Sequence, residues 1–180
     1  MELERDRRLR IEAERIERLQ ALSPFIRYRA ISQLPGLVPD RYEVSFSCTG
    51  LRRDGGDIVE TQNHRVLIYF HAEYPTQQPR LAWMTPIFHP NIKGPRVCLG
   101  RSWTPAMTLD ELCIILGEMI QYKLFNLDDP LDADAAEVIH AVIESRPDIM
   151  PIDKRNMLLP DAAVDSSQIV DDLVDLVVVE

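Results

Sequence analysis

The residues best suited to chemistry lie between His89 and Trp103, where a thiol and a carboxamide occur close together. Cys98 follows the His89-Pro90-Asn91 sequence and precedes Trp103-Thr104-Pro105, in a segment rich in turn-forming residues. An accessible thiolate can carry an acyl group as a thioester, and a nearby amide N–H can stabilise the oxyanion that forms when this thioester is attacked. The pair of side chains predicts an acyl carrier.

Cys98 differs from the other two cysteines in its sequence surroundings. Cys48 falls on the apolar side of an alternating segment, and Cys113 lies between Leu112 and Ile114 in a helical pattern. A cysteine buried in this way acts as a small apolar side chain, whereas a reactive thiol must be accessible. We therefore expect Cys48 and Cys113 to be structural and Cys98 to be the nucleophile.

Two polar side chains near Cys98 each have two interpretations. The Asn91 amide could donate a hydrogen bond to the oxyanion, could fix its own loop through bonds to the backbone, or could do both. His89 suggests a Cys-His pair, but an imidazole directly before a proline favours a structural role. We expect His89 to hold the loop and not to act as a base.

Asp129 is the candidate for handling the acceptor amine. A carboxylate near the thioester can orient an incoming lysine and receive its proton. Asp128-Asp129-Pro130 is also common in turns before a helix, and composition alone favours that structural reading. Lys93 and Arg96 stand close to the thiol in sequence, and we interpret them as solvated loop charges.

The elements that position these residues follow from hydrophobic periodicity. Apolar residues recur at helical spacing from Leu9 to Leu19, which predicts an amphipathic helix over 2–22. Alternation predicts strands over 42–48 and 66–70, joined through the Asp54-Gly55-Gly56-Asp57 turn signal. With further strands at 25–32 and 80–84, the prediction is a four-stranded antiparallel meander.

A long irregular segment and two helices complete the prediction. Residues 86–105 carry four prolines and no sustained periodicity, which is typical of a functional loop. Thr108 and Glu111 form a capping box at the start of a second helix. A third helix is predicted over 132–144, with Asp132 as its cap. Helix, meander, loop and two helices make an α+β domain.

Composition limits the domain organisation and the partners. The 180 residues are 46% apolar, which fits one domain over 1–146 and an acidic, proline-interrupted extension over 147–180 that is linker-like up to residue 168. A net charge of −9 argues against non-specific nucleic-acid binding. Without a long apolar run or signal peptide, we expect a cytosolic chain that binds no membrane. No zinc motif, disulfide framework or cofactor is predicted.

In their order along the chain, these motifs resemble those of the ubiquitin-conjugating enzymes. Tyr74-Pro75 and Pro79 precede His89-Pro90-Asn91, which is followed by Cys98, by Trp103 and Pro105, and by the acid Asp129 before Pro130-Leu131. The resemblance covers residues 8–144. It implies the UBC fold, with an N-terminal helix, a four-stranded meander, a long active-site loop and two further helices.

The resemblance also implies an activity. A member of this family is an aminoacyl-transferring acyltransferase that accepts ubiquitin or a ubiquitin-like protein from an activating enzyme as a thioester on its cysteine. It then passes the modifier to an acceptor amine or to a ligase cysteine. On this basis Cys98 is the catalytic cysteine and Asp129 is the acid that gates the site. The expected partners are the modifier, the activating enzyme and, optionally, a ligase.

Partner surfaces are assigned in the same way. Four arginines of the first helix are expected to dock the activating enzyme, namely Arg8, Arg10, Arg15 and Arg18. The resemblance places Thr76, Trp103 and Pro105 at partner-binding positions, and Thr76 replaces an aromatic residue that often serves ligase docking. The segment 169–180 alternates apolar residues with acids, and it fits equally an interaction strand for a partner and a tail packed on its own domain.

The chain departs from the family in its loop lengths. The segments on either side of Cys98, from Asn91 and to Trp103, are shorter than usual, and the extension replaces a fourth helix. Such a reduced form resembles the conjugating enzymes of bacterial ubiquitin-like, antiviral operons. Two other hypotheses stay open, namely a non-catalytic UBC-fold protein that binds modifiers and a Cys-His hydrolase that uses His89 as its base.

Overall fold

The computed structural model describes residues 4–31 and 36–159. Within these ranges the chain forms three α-helices and a short 3₁₀ helix, Pro147–Ile149. The α-helices are α1 (Glu4–Leu22), α2 (Leu109–Ile120) and α3 (Ala133–Ser145). The strands are β1 (Ile26–Ile31), β2 (Arg41–Phe46), β3 (Gly50–Asp54), β4 (Asp57–Thr61), β5 (His64–Tyr69), β6 (Arg80–Trp83), β7 (Ile92–Lys93) and β8 (Arg96–Val97). This is an α+β domain with the UBC-like fold, as the sequence predicts.

The main sheet confirms the predicted four-stranded meander. Its strand order is β1-β2-β5-β6, and every neighbouring pair is antiparallel. Alternation in β2 buries Tyr42, Val44 and Phe46, and the facing β5 buries Val66 and Ile68. One face of the sheet therefore forms the core, while the other carries the charged positions of the same strands.

The turn at residues 54–57 forms as predicted, but it joins β3 to β4 and does not join β2 directly to β5. It closes a separate two-stranded ribbon, β3 and β4, which lies between β2 and β5 in the sequence. Most residues of this ribbon are exposed or half-buried, and Ile58 is 36% exposed. A ribbon without a buried face has no apolar alternation, which explains why sequence periodicity missed these two strands.

The helices agree closely with their predicted bounds. Leu9, Ile16 and Leu19 of α1 are buried, and α2 contributes seven buried residues to the same core. The Thr108 amide donates to the Glu111 carboxylate at 2.8 Å, as the predicted capping box requires. Asp132 precedes α3 in extended conformation but makes no side-chain cap bond; its carboxylate lies 3.3 Å from Lys93 Nζ instead.

The residues after α3 pack on the domain as far as the structure describes them. Met157 is 4% exposed and packs directly on Gly117 of α2, where a β-carbon would clash with it. Asp153 accepts the Thr49 amide at 2.8 Å, and the Leu159 amide donates to the Leu22 carbonyl at 3.0 Å. The prediction of a linker over 147–168 is therefore wrong up to residue 159, because these contacts are long-range and invisible to local composition.

Two further expectations concern the end of the chain and membrane-spanning helices. The segment 169–180, which fits equally an interaction strand and a tail packed on its own domain, lies outside the described residues. Among the described residues, no helix is both long and apolar enough to cross a membrane.

Candidate active site

Cys98 lies directly after β8, at the edge of an open cleft. Gly94, at a φ of +56°, makes the turn that joins β7 to β8. The Cys98 amide then donates to the Asn91 carbonyl at 2.9 Å, which ties the thiol-bearing residue to the His89-Pro90-Asn91 motif. The Cys98 side chain is partly exposed. It lines a cleft of about 650 Å³ together with Asn91, Asn126 and Asp129.

Asn91 uses its side chain to hold a second chain segment. Its Nδ2 donates to the Asn126 carbonyl at 2.8 Å, and its Oδ1 accepts the Asn126 amide at 2.7 Å. Asn91 is only 3% exposed. Because a carboxamide nitrogen carries two N–H groups, the bond to Asn126 leaves one donor in addition. The loop-fixing interpretation of Asn91 matches this geometry, and the second N–H keeps the oxyanion role open.

The backbone of the same motif holds the other end of that segment. The Pro90 carbonyl accepts the Leu131 amide at 2.8 Å and the Asp132 amide at 3.0 Å. Asn91 and Pro90 thus fix positions 126 and 131–132 on either side of Asp129. We refer to these bonds between the motif and the segment 126–132 as the loop clamp. It brings residues 35 or more positions apart in sequence to one cleft.

Asp129 combines a fixed backbone with an available side chain. Its residue is exposed, and its carboxylate makes no hydrogen bond with the residues that the structure describes. The adjacent turn is fixed locally, because the Asp128 amide donates to Asn126 Oδ1 at 2.8 Å. The loop clamp therefore sets the position of Asp129 while its carboxylate stays open to a ligand.

His89 is held in a neutral, enclosed state. It has no exposed surface, its Nδ1 accepts the Asn91 amide at 3.0 Å, and its ring packs against Tyr122 with centroids 5.0 Å apart. Burial lowers the pKa of His89 to about 3, because the charged imidazolium loses its hydration. With Nδ1 already occupied, the ring has no lone pair to offer Cys98. This geometry favours the loop-holding role and opposes that of a base.

The other two cysteines are enclosed. Cys48 and Cys113 both have 0% exposure. Burial raises the pKa of Cys48 to about 12, with a smaller contribution from the charge of Asp153, and burial raises the pKa of Cys113 well above its usual value. Of the three thiols, Cys98 is the accessible one, in agreement with the structural reading of Cys48 and Cys113.

Comparison with known proteins gives the family. The model of the ubiquitin-conjugating enzyme family matches residues 54–145, just over half of the chain. The chain belongs to the ubiquitin-conjugating enzyme family. The matched range includes the cysteine, the loop clamp and both helices that follow. The predicted recognition is therefore confirmed.

Three curated relatives agree with this assignment. A Schizosaccharomyces pombe ubiquitin-conjugating enzyme, E2 13, is 32% identical over 75 residues, which are 39% of this chain and 49% of the relative. A Macaca fascicularis enzyme, E2 N, is 34% identical over 74 residues, 39% of this chain and 47% of the relative. The Saccharomyces cerevisiae NEDD8-conjugating enzyme UBC12 is 39% identical over 75 residues, 39% of this chain and 38% of the relative. The chain thus spans at most about half the length of these relatives.

The other residues assigned to partners differ in their exposure. Thr76 and Pro105 are exposed, and Trp103 is half-buried against the core. Arg96 is exposed, in agreement with a solvated loop charge, and it lines a second cleft together with Arg80 and Cys98. Their positions leave these surfaces open to partners.

Arg8 makes contacts within the domain, although the sequence predicted that it docks the activating enzyme. Its guanidinium donates to Glu12 and to the carbonyls of Pro105 and Met107, and its side chain is 17% exposed. It holds the loop after Trp103 against α1, so it has little surface left for an activating enzyme. For the other three arginines of the predicted set, Arg10, Arg15 and Arg18, docking of an activating enzyme stays a prediction.

Sequence reasoning missed Glu12. It is fully buried and accepts hydrogen bonds from Arg8, from the Tyr74 hydroxyl and from the Leu109 amide. We call these four residues the Glu12 cluster. A signal was present, because Glu12 lies three residues after Leu9 and so on the buried stripe of α1. Asn126 was also missed as the partner of Asn91, and no local signal marks it.

Proposed function

We propose that the chain is a conjugating enzyme that carries a ubiquitin-like protein as a thioester on Cys98 and transfers it to an amine. The observation that carries this proposal is the loop clamp, which brings an accessible thiol, a buried carboxamide and an available carboxylate to one cleft. Membership in the family supports the reaction class. The roles of the individual residues rest on the geometry.

In the first step, Cys98 accepts the modifier from an activating enzyme. The Cys98 thiolate attacks the carbonyl carbon of the donor thioester, a new C–S bond forms, and the donor thiolate leaves. Nucleophile and leaving group are both thiolates, so this exchange needs no general base. The absence of a usable lone pair on His89 is compatible with that chemistry.

In the second step, an acceptor amine attacks the thioester. The C–N bond forms, an oxyanion develops on the carbonyl oxygen, and the collapse of the intermediate breaks the C–S bond and releases Cys98 as thiolate. Asn91 supplies its remaining N–H to the oxyanion, or holds the cleft in the shape that does so. Asp129 orients the amine and receives its proton, since its carboxylate is available and its backbone is fixed.

The two alternative functions explain fewer of these features. A hydrolase would need an activated base next to Cys98, whereas His89 is buried, neutral and already bonded. A non-catalytic modifier-binding protein would have no use for an accessible thiol and an available carboxylate in one cleft. We therefore place the Cys-His hydrolase and the silent UBC-fold protein below the conjugating enzyme.

Partner recognition is proposed at a coarser level. We propose that Arg10, Arg15 and Arg18 of α1 dock the activating enzyme, and that Thr76, Trp103 and Pro105 form the surface for a ligase if one is used. The resemblance to bacterial ubiquitin-like operons proposes a ubiquitin-like modifier encoded nearby. Finding an activating enzyme and a small β-grasp protein among the neighbouring genes would support that pathway, and their absence would oppose it.

The direct test is a loading reaction. The chain is incubated with a matching activating enzyme, ATP and modifier, and adducts are resolved with and without a thiol reductant. We expect a thiol-sensitive adduct with the wild type and a thiol-resistant oxyester with Cys98→Ser. Cys48→Ser serves as the matched control, and it should load like the wild type because Cys48 is buried. A thiol-sensitive adduct that persists in Cys98→Ala would refute the proposal.

A further inference from the structure

The four-stranded sheet has a second face that the proposed reaction does not use. Antiparallel partners point to the same side of a sheet, so the strand register defines rows across it. On the face opposite the core, which we call the outer sheet face, three rows follow one another. They are Arg27, Ser45 and Arg65; then Arg29, Glu43, Leu67 and Ala82; then Ile31, Arg41, Tyr69 and Arg80.

The outer sheet face is strongly basic in a chain whose net charge is −9. It carries five arginines and one acid, Glu43, which contacts Arg29 at 2.6 Å and Arg65 at 3.3 Å. Arg41 lies 3.9 Å from Asp40 at the sheet margin and stacks on the Tyr69 ring at 4.6 Å. Even with both acids counted, positive charge remains in excess. Leu67, Tyr69 and Ala82 add half-buried apolar surface among the arginines.

The described chain ends beside one margin of this face. The Leu159 amide donates to the Leu22 carbonyl, and the next turn of the chain leads through Phe25 into β1. A cleft of about 340 Å³ lies at that margin, lined by Phe25, Arg27 and Arg65 among others. Leu159, the last described residue, is therefore bonded to Leu22, which lies five positions before Arg27 in the sequence.

The sequence that follows is the chemical complement of this face. Residues 160–180 contain no lysine or arginine and six acids, namely Asp161, Asp165, Asp171, Asp172, Asp175 and Glu180. Valine, leucine and isoleucine stand between the acids, and they suit the apolar surface that Leu67, Tyr69 and Ala82 form on the outer sheet face. Carboxylates pair with guanidinium groups through strong, often bidentate hydrogen bonds.

We propose that residues 160–180 dock on the outer sheet face of their own chain, with their acids on its arginines. Length permits this, because the nine residues from 160 to 168 can span about 30 Å, while four strands are only about 14 Å across. Attachment at Leu159 gives the segment a high effective concentration at the face, which favours docking in cis over capture of a separate acidic partner.

The test uses the full chain and does not depend on Cys98 chemistry. Arg65→Lys and Arg27→Lys keep the charge and introduce an amine, which a water-soluble carbodiimide couples to a carboxylate in contact with it. Peptide mass spectrometry then locates the amide. We expect links from position 65 or 27 to acids of 161–180, reduced about fivefold on raising the salt from about 0.05 M to about 1 M, because exposed pairs are screened.

Two controls are built into the chain. Lys93 Nζ lies 3.3 Å from the Asp132 carboxylate, so that link reports on the reagent in every sample. Arg7→Lys places the same amine on an exposed position of α1, near the helix end opposite Leu22, and should give about fivefold fewer links to 161–180 than position 65. Mixing unlabelled and isotope-labelled chains separates links within one chain from links between two.

The outcomes decide the proposal. Links within one chain that prefer positions 65 and 27 support it. If the Lys93 link forms without any link from 65 or 27 to 161–180, or if position 7 links equally well, the outer sheet face is not the docking site. Links of mixed isotope composition would assign the segment to a second copy and overturn docking in cis.

Discussion

Two carboxylates in this molecule, Glu12 and Asp129, are held in opposite ways. Glu12 is fully buried and satisfied by three donors, of which the Leu109 amide is 97 residues away. Asp129 is exposed, and the backbone on either side of it is held by the Asn91 side chain and by the Pro90 carbonyl. The Glu12 carboxylate joins elements of the fold, whereas the Asp129 carboxylate is accessible to a ligand.

This contrast separates a carboxylate with a structural role from one that is a candidate for a role in transfer. A buried carboxylate that three donors of its own domain already engage contributes to stability and is not accessible to a substrate for proton transfer. An exposed carboxylate at a fixed place costs little to keep and can act on what enters the cleft. We therefore expect substitutions at the Glu12 cluster to affect unfolding, and substitutions at Asp129 to affect transfer.

The largest expected effect is the loss of stability in Glu12→Ala. The change leaves Arg8, the Tyr74 hydroxyl and the Leu109 amide without their buried acceptor, and breaking such a buried ion pair costs roughly 3 to 5 kcal/mol. Urea unfolding of the purified variant measures this loss. Glu14→Ala, at an exposed position of the same helix, should change the free energy of unfolding by no more than about 0.5 kcal/mol. Equal effects of the two changes would contradict the role of the Glu12 cluster.

A second effect concerns pH and His89. Burial lowers the pKa of His89 in the folded chain to about 3, whereas its unfolded value is 6.5. Between these two pH values the unfolded chain therefore binds a proton at His89 and the folded chain does not. His89 therefore destabilises the fold as the pH falls from 6.5 towards 3, and has no effect above about 6.5. Between pH 6.5 and 4.5 its contribution amounts to about 2 kcal/mol.

His89→Gln should remove that share of the pH dependence. Urea midpoints at several pH values measure the slope, and the variant should lose stability less steeply than the wild type on acidification. His140→Gln is the matched control, because His140 is exposed on α3. The account of a neutral, loop-holding His89 fails if both variants keep the wild-type slope.

The repeating parts of the fold could be predicted, because they depend on local patterns. The meander and α2 follow from alternation and from the Thr108 capping box, which the structure reproduces. The ribbon of β3 and β4 could not be found in this way, since it buries neither face. The burial of Glu12 depends on Tyr74 and Leu109, which no local pattern connects to α1.

The candidate site likewise has a part that sequence could predict and a part that it could not. Cys98, Asn91 and Asp129 could be singled out from motif order, since their residue types suit the chemistry. The bonds from Asn91 to Asn126 and from Pro90 to Leu131 span long stretches of chain and depend on tertiary packing. Sequence therefore identified the candidate reacting groups, while the structure supplied the way in which one motif positions them.

Asn91→Ala should affect stability and transfer together. It removes two hydrogen bonds to the Asn126 backbone, each worth about 1 kcal/mol, so the free energy of unfolding should fall by about 2 kcal/mol. The segment with Asp129 is then less well fixed, and aminolysis of the loaded thioester should slow. Unchanged stability together with slow transfer would show that Asn91 acts on the oxyanion alone.

The smallest expected effect belongs to Asn126→Ala. The bonds between Asn91 and position 126 use backbone atoms of that residue, so this variant keeps the loop clamp and loses only the bond from the Asp128 amide. We expect a loss of no more than about 1 kcal/mol in the free energy of unfolding. A loss as large as that of Asn91→Ala would mean that the Asn126 side chain, and not its backbone, holds the segment.

The account is tested most directly by the discharge of loaded Cys98 to free lysine. Loaded chain is separated from the activating enzyme, and the single-turnover rate is measured for Asp129→Asn and for Asp128→Asn, whose exposed side chain lines the same cleft. We predict that Asp129→Asn slows discharge about a hundredfold with unchanged unfolding, and that Asp128→Asn stays within about threefold of the wild type. Equal rates for the two variants would contradict the claim that the loop clamp positions Asp129 for transfer.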